Sequence, residues 1–372
     1  MIRSLSRIFL AALCALCTSC ATDSADVEVP VLMGETLPDT DGTHVNAHGG
    51  NIIRVDSLFY WYGEYRGDGT PGSHQKGVAC YSSPDLKEWR YRGLVLPVTA
   101  DTLSPIQEGC IMERPKVVYN SRTGRYVMWF HNELKGRGYG AAYAGVATSD
   151  SPTGPFELKA TGRVNPGIAP ENLSREMLSQ DFPDSLEWWT PEWHDAVAGG
   201  MFTARDLAGG QMARDQTVYV DPDNGRAYHI YSSEENLTLQ IAELDSTYER
   251  HTGRYIRIFP GGHNEAPAVF KHGGKYWMIC SGCTGWAPNE ARLMYADSLM
   301  GRWTQLPNPF RGRGADITFG GQGASVLTLG DKHYFLADIW NPKRLCDSRY
   351  ILLPINFDEE DTPYIERPKK ID

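Results

Sequence analysis

Five short polar strings could do chemistry: "NAHGG" at Asn46–Gly50, "ERP" at Glu113–Pro115, "RDQ" at Arg214–Gln216, "EAP" at Glu265–Pro267 and "GQG" at Gly321–Gly323. If they share one pocket, Glu113, Asp215, Glu265, Arg214 and Gln322 crowd several charges together. Crowded carboxylates drive one another's proton affinities apart, leaving one acid protonated beside another that is ionised. Cleavage of a glycosidic bond needs that division between its acid and its base. Taken singly, each residue also has a plainer reading. Glu265 could cap the amides of a turn, Asp215 could pair with Arg214, and Glu113 with Arg114 or Lys116.

What brings the strings together is a repeat. Each stands before a strand, a polar turn and a strongly aromatic strand: "NIIRVDSLFYWYGEYR" from Asn51, "KVVYNSRTGRYVMWFHNEL" from Lys116, "TVYVDPDNGRAYHIYSSE" from Thr217, "AVFKHGGKYWMICSGC" from Ala268 and "SVLTLGDKHYFLADIW" from Ser325. Further strand-like runs follow each unit, and helical periodicity is scarce. The reading is an all-β, five-bladed β-propeller, in which equivalent positions converge on one central funnel. Two packed sandwiches are the alternative. Aromatic residues at strand ends, Trp61, Tyr62 and above all Trp286 after Cys283, are candidates for a platform under the apolar face of a sugar. His48, Glu64, Tyr143 and Thr284 are further candidate substrate contacts. A long insert at 161–207, containing "LEWWTPEWHD" at Leu186–Asp195, reads as a partly helical flap over the funnel mouth.

The formal charge of -10 leaves no basic stripe for nucleic acid. Arg3 and Arg7 followed by the apolar run Ile8–Cys17 read as an export signal over 1–20. Thr18-Ser19-Cys20 resembles a lipobox, with Cys20 lipidated, 21–36 as a tether and 37–372 as the propeller. A monomeric lipoprotein of a Gram-negative bacterium is expected, periplasmic or at the cell surface, touching the membrane only through its lipid. The five cysteines beyond Cys20 are too few for a disulfide scaffold. Cys280-x-x-Cys283 lacks the second pair a zinc site needs, so no metal and no cofactor are expected.

These motifs, over about Leu37 to Phe357, resemble glycoside hydrolase family 43, five-bladed propellers that hydrolyse with inversion. The resemblance implies that Glu265 is the acid and Asp215 the residue that tunes it. The family's blade-one Asp is missing, since "DTDGTHVNAHGGNII" offers Asn46 and His48 instead. That departure, with "YWYGE", "ERPK" and "SGCTGWAPN", is similar to the exo-β-1,3-galactanase branch. By the same resemblance Gln322 or Glu113 activates water, and the substrate is a β-1,3-linked galactan, the backbone of arabinogalactan, attacked at its non-reducing end. An α-L-arabinofuranosidase, a β-xylosidase and a non-catalytic glycan-binding propeller are the competing readings.

Overall fold

The computed structural model describes residues 27–68, 75–183 and 185–368. The expected export signal over 1–20 and Cys20 lie outside the described residues. Among the described residues, twenty-two strands form five sheets. After β1 (Leu32–Met33), blade one is β2 (His48–Val55), β3 (Leu58–Arg66), β4 (Gln75–Ser83) and β5 (Arg90–Pro97). Blade two is β6 (Ile111–Asn120), β7 (Arg125–Glu133), β8 (Tyr143–Ser149) and β9 (Glu157–Gly162). The insert carries α1 (Arg175–Leu178), α2 (Pro191–Ala198) and α3 (Met201–Asp206). Blade three is β10 (Gln216–Val220), β11 (Ala227–Ser233), β12 (Thr238–Leu244) and β13 (His251–Ile258). Blade four is β14 (Asn264–His272), β15 (Lys275–Gly282), β16 (Arg292–Ala296) and β17 (Thr304–Leu306). Blade five joins β18 (Phe310–Arg311), β19 (Gln322–Leu329), β20 (Lys332–Ile339), β21 (Arg349–Phe357) and β22 (Pro363–Glu366), with β1 added against β21.

Burial falls from the inner strands to the rim, and this is why the repeat is so audible in the sequence. β3 and β15 are buried along nearly their whole length, covered by neighbouring blades on both faces, whereas β5 and β9 alternate outward. A strand covered on both faces reads as a continuous apolar run. The core is accordingly divided among the blade interfaces. Trp61, Trp89 and Tyr350 pack between blades five and one, and Tyr62, Met128 and Phe130 between one and two. Trp129, Tyr231 and Tyr255 fill the next interface, Ile230, Met278 and Met294 the one after, and Phe270, Phe335 and Ile351 the last. Trp61 meets Trp89 and Tyr350 edge-on at 5.2 and 4.6 Å, so this candidate platform residue is core, as is Tyr62.

Two expectations change here. Leu32 and Met33, placed in the tether by the sequence, pair with Leu352 and Ile351 and pack on the core, because blade five otherwise leaves a strand edge open. The insert is partly helical, but no described residue of 161–207 lines the central cavity. It packs against blade three instead, with Trp193 buried among Val197, Phe202 and Leu237. Thr190 caps α2 by accepting from the Trp193 amide, and Pro191 sits in its first turn.

Candidate active site

Polar side chains stand at the axial ends of the innermost strands, and in three blades a bulge aims them. In blades one, two and four the pairing slips just after His48, Glu113 and Glu265, and the next residue is left-handed: Gly49 (φ 61), Arg114 (φ 51) and Ala266 (φ 55). A bulge kinks its strand and re-aims the flanking side chain. After Arg114 and Ala266 comes a proline, which has no N–H to leave unpaired at the slip. Blade one must use Gly50 there, since a Cβ would lie 1.7 Å from the Tyr62 carbonyl oxygen.

At the axis is a cavity of about 300 Å³, walled by Glu64, Glu113, Asp215, Glu265 and Gln322, with Trp286 and Trp340 meeting edge-on at 5.0 Å on one side. Glu265 is 8% exposed. Burial, then the charge of Asp215, pushes its carboxyl up to about 7, against the opposing pull of Cys283 and Arg114. Oε1 of Glu265 accepts from the Asn236 amide at 2.7 Å. Asp215 receives Nε of Arg114 at 2.8 Å and the Ala266 amide at 3.2 Å, so it is tied to the bulge that carries Glu265.

Glu113 is the opposite case. Burial would raise its carboxyl, but His131, Arg66 and Tyr139 outweigh that and hold it down at about 2. The Tyr139 hydroxyl donates to its Oε1 at 2.8 Å, and Nδ1 of His131 lies 3.2 Å from Oε2, off the line of a good hydrogen bond. His131 is raised to about 9 between Glu113 and Glu133, against burial. In Gln322, Oε1 accepts from Arg114 Nη2 at 2.7 Å and Trp340 Nε1 at 2.9 Å, while Nε2 donates to Ser281 Oγ at 3.0 Å. The site therefore holds a proton-bearing carboxyl, an ionised one and an orientationally locked amide.

The family model described as glycosyl hydrolases family 43 matches residues 190–363. Over 91% of this chain and 99% of the other, the fold is similar to a family 43 β-1,3-galactosidase solved with galactodeoxynojirimycin, with 54% identity and a TM-score of 0.88. The chain belongs to glycoside hydrolase family 43. It is also similar to an exo-β-1,3-galactanase from Phanerochaete chrysosporium, 30% identical with a TM-score of 0.71 over 90% of this chain and 66% of that one. An exo-β-1,3-galactanase from Clostridium thermocellum is 32% identical, with a TM-score of 0.72 over 90% and 64%. No curated protein matches the sequence.

In this family 43 enzyme the fold brings Glu64, Glu113, Asp215, Glu265, Gln322 and Trp286 to one cavity, and leaves three expected contacts outside its lining. His48 is fully buried: Nδ1 lies 3.2 Å from Asp338 Oδ1, and the ring stacks on Tyr350. Tyr143 starts a third strand, one strand farther from the axis than the residues that line the cavity. Thr284 closes its own loop by donating to the Ala287 carbonyl and accepting from Asn289. Cys280 and Cys283 are both free, the first in the core and the second on the cavity wall.

Arg114, His131, Tyr139, Asn236 and Trp340 also line the cavity, and none of them is among the site residues expected from the sequence. One signal was available for His131. Aligning the aromatic strands on Phe59, Tyr126, Ala227, Tyr276 and His333 puts Glu64, His131, Ser232, Ser281 and Asp338 in one column, the cross-strand partners of the axial residues. Asn236 and Tyr139 sit in loops outside the repeat and left no such trace.

Proposed function

We propose that this family 43 glycosidase removes galactose from the non-reducing end of β-1,3-linked galactan, with inversion. The observation that carries the reading is the cavity itself, small and walled by two carboxyls of opposite proton affinity, Glu265 near 7 and Glu113 near 2. Its volume is at the lower end for ligand sites, suited to a terminal sugar rather than a threaded chain. The galactosidase and galactanases to which the chain is similar support the choice of sugar and linkage.

In this reading Glu265 donates its proton to the departing glycosidic oxygen as a water attacks the anomeric carbon from the opposite face. Asp215 keeps that proton available by its charge, and Arg114 fixes Asp215. Both acceptor directions of Gln322 Oε1 are already filled, so the amide offers the water its remaining Nε2–H. Glu113 takes the proton the water releases. Trp286 supplies an apolar wall and Glu64 orders the Arg114 amide through a 2.9 Å hydrogen bond. We also propose export and anchoring through Cys20, supported by the basic and apolar N-terminal pattern alone.

Thin-layer chromatography of digests of β-1,3-galactobiose, arabinan and xylan oligomers tests the assignment. Galactose should appear from the first and nothing from the others. Arabinose or xylose without galactose overturns the reading, and proton NMR of the first-formed anomer checks inversion.

A further inference from the structure

The turn between β11 and β12 has three successive non-glycine residues in the left-handed region, Glu234 (φ 53), Glu235 (φ 57) and Asn236 (φ 65). Side chains with a Cβ avoid that region, and such a run persists only where the surroundings over-determine it. Here they do. Glu234 is wholly buried, and its Oε1 accepts from Arg257 Nε at 2.6 Å, Thr203 Oγ1 at 2.9 Å and Gln240 Nε2 at 3.3 Å. Its Oε2 accepts from Arg257 Nη2 at 2.7 Å and Thr238 Oγ1 at 3.0 Å. The same guanidinium donates to the last carbonyls of α2, Val197 at 2.8 Å and Ala198 at 3.2 Å, and Thr203 belongs to α3. Leu237, which closes the turn, is buried beside Trp193.

The insert that does not cover the cavity thus reaches it through this turn. We propose that Glu234 is a positioning residue: gripped by Arg257 and by Thr203 of the insert, it holds the turn so that Asn236 occupies Oε1 of Glu265, leaving Oε2 to carry the proton toward the substrate. This rests on the reading of Glu265 as the acid. The insert is then the scaffold of the acid, and Glu234, which touches no substrate, acts only through Asn236.

A misplaced acid costs most where the leaving group most needs protonation. The experiment compares β-1,3-galactobiose with a dinitrophenyl β-galactoside in Glu234→Gln, Thr203→Val and Asn236→Ala, on the full chain. With galactobiose, kcat should fall about tenfold in Glu234→Gln and Asn236→Ala, the scale of one hydrogen bond to a carboxyl group. Thr203→Val should lose less, Thr203→Ser should restore it, and the activated substrate should be nearly unaffected throughout. Adding Thr203→Val to Asn236→Ala should cost nothing further, because both remove one contact. A purely structural Glu234 predicts equal losses on both substrates and additive effects, which overturns the proposal. Should Glu234→Gln fail to fold, Thr203→Val and its double mutant carry the same test. Glu265→Gln separates the two readings: unimpaired hydrolysis of galactobiose there refutes the acid, whereas a large loss there with an unchanged substrate ratio in the turn variants refutes only the positioning.

Discussion

Glu265 is asked to keep a proton at neutral pH, and the means of doing so costs stability. The folded chain binds this proton more tightly than the unfolded one, about 7 against an ordinary 4.5. Its contribution is therefore present below pH 4.5 and lost as pH rises through 7. Glu265→Gln should be more stable than the parent at pH 8, by up to about 3 kcal/mol, and no different at pH 4, both read from thermal melting. An equal gain at both values would show that packing, not charge, is responsible. The same variant should lose at least ~10² in hydrolysis of galactobiose, the lower end for general acid catalysis, while a dinitrophenyl galactoside is largely spared. In the parent, kcat/KM should decline above pH 7 as the acid deprotonates. Asp215→Asn should move that limb to lower pH, since the charge that raises Glu265 is gone. An unmoved limb would place the titrating group elsewhere. Glu265 and Asp215 were legible because each opens a repeat. Asn236 was not, because a loop asparagine becomes informative only when its backbone is seen to be left-handed.

At the scale of elements, the loud signal and the functional one fall on different strands. The second strand of each blade is buried on both faces, so its aromatics announced the repeat and hence the fold. The proposed base and acid, Glu113 and Glu265, are on first strands, at a bulge, and the repeat located them only by adjacency. The insert reads as a lid because its tryptophans sit in a long segment without strand signals, and nothing in the sequence pairs Arg257 with Glu234. The burial of Trp193 among Val197, Phe202 and Leu237 makes the segment part of the fold. Trp193 is 1% exposed, and Trp193→Ala should destabilise by about 3–5 kcal/mol, the usual range for deleting a buried large aromatic. Cutting out Leu186–Asp195 removes this side chain with the start of α2, so thermal melting should broaden and shift down. A variant that melts like the parent would return the insert to the role of a detachable flap.

Over the whole molecule, a propeller must hold its last blade to its first, and this chain does so with side chains and with its N-terminal segment. Asp338 of β20 accepts from the Gly49 amide at 2.9 Å and faces His48, while the Tyr350 hydroxyl donates to Val45 O at 2.8 Å and accepts from the Ala47 amide at 2.9 Å. His48 thus occupies the blade-one position equivalent to Glu113 and Glu265 but is spent on closure. Of the two residues offered in place of the missing blade-one carboxylate, His48 belongs to the ring's seam, whereas the Asn46 side chain stays within blade one, donating to Arg66 O at 2.7 Å. The second device is β1, whose Leu32 and Met33 pair with β21, with Val27 and Val29 packed beside the seam. Two strand residues of middling exposure give no periodicity to read, which is why the segment passed for tether. Deleting 27–36 from a soluble form should lower Tm by about 5 °C, from the loss of a few half-buried apolar side chains in a chain this large. Each remaining folded molecule should still turn over substrate at 25 °C, because no described residue before Glu64 lines the cavity. If instead Tm is unchanged, the side-chain seam alone closes the ring. If activity falls with Tm unchanged, the N-terminal segment reaches the site by a route the packing does not show. The expected pairing of lower Tm with intact turnover places the ring's closure and its chemistry in separable parts of the molecule.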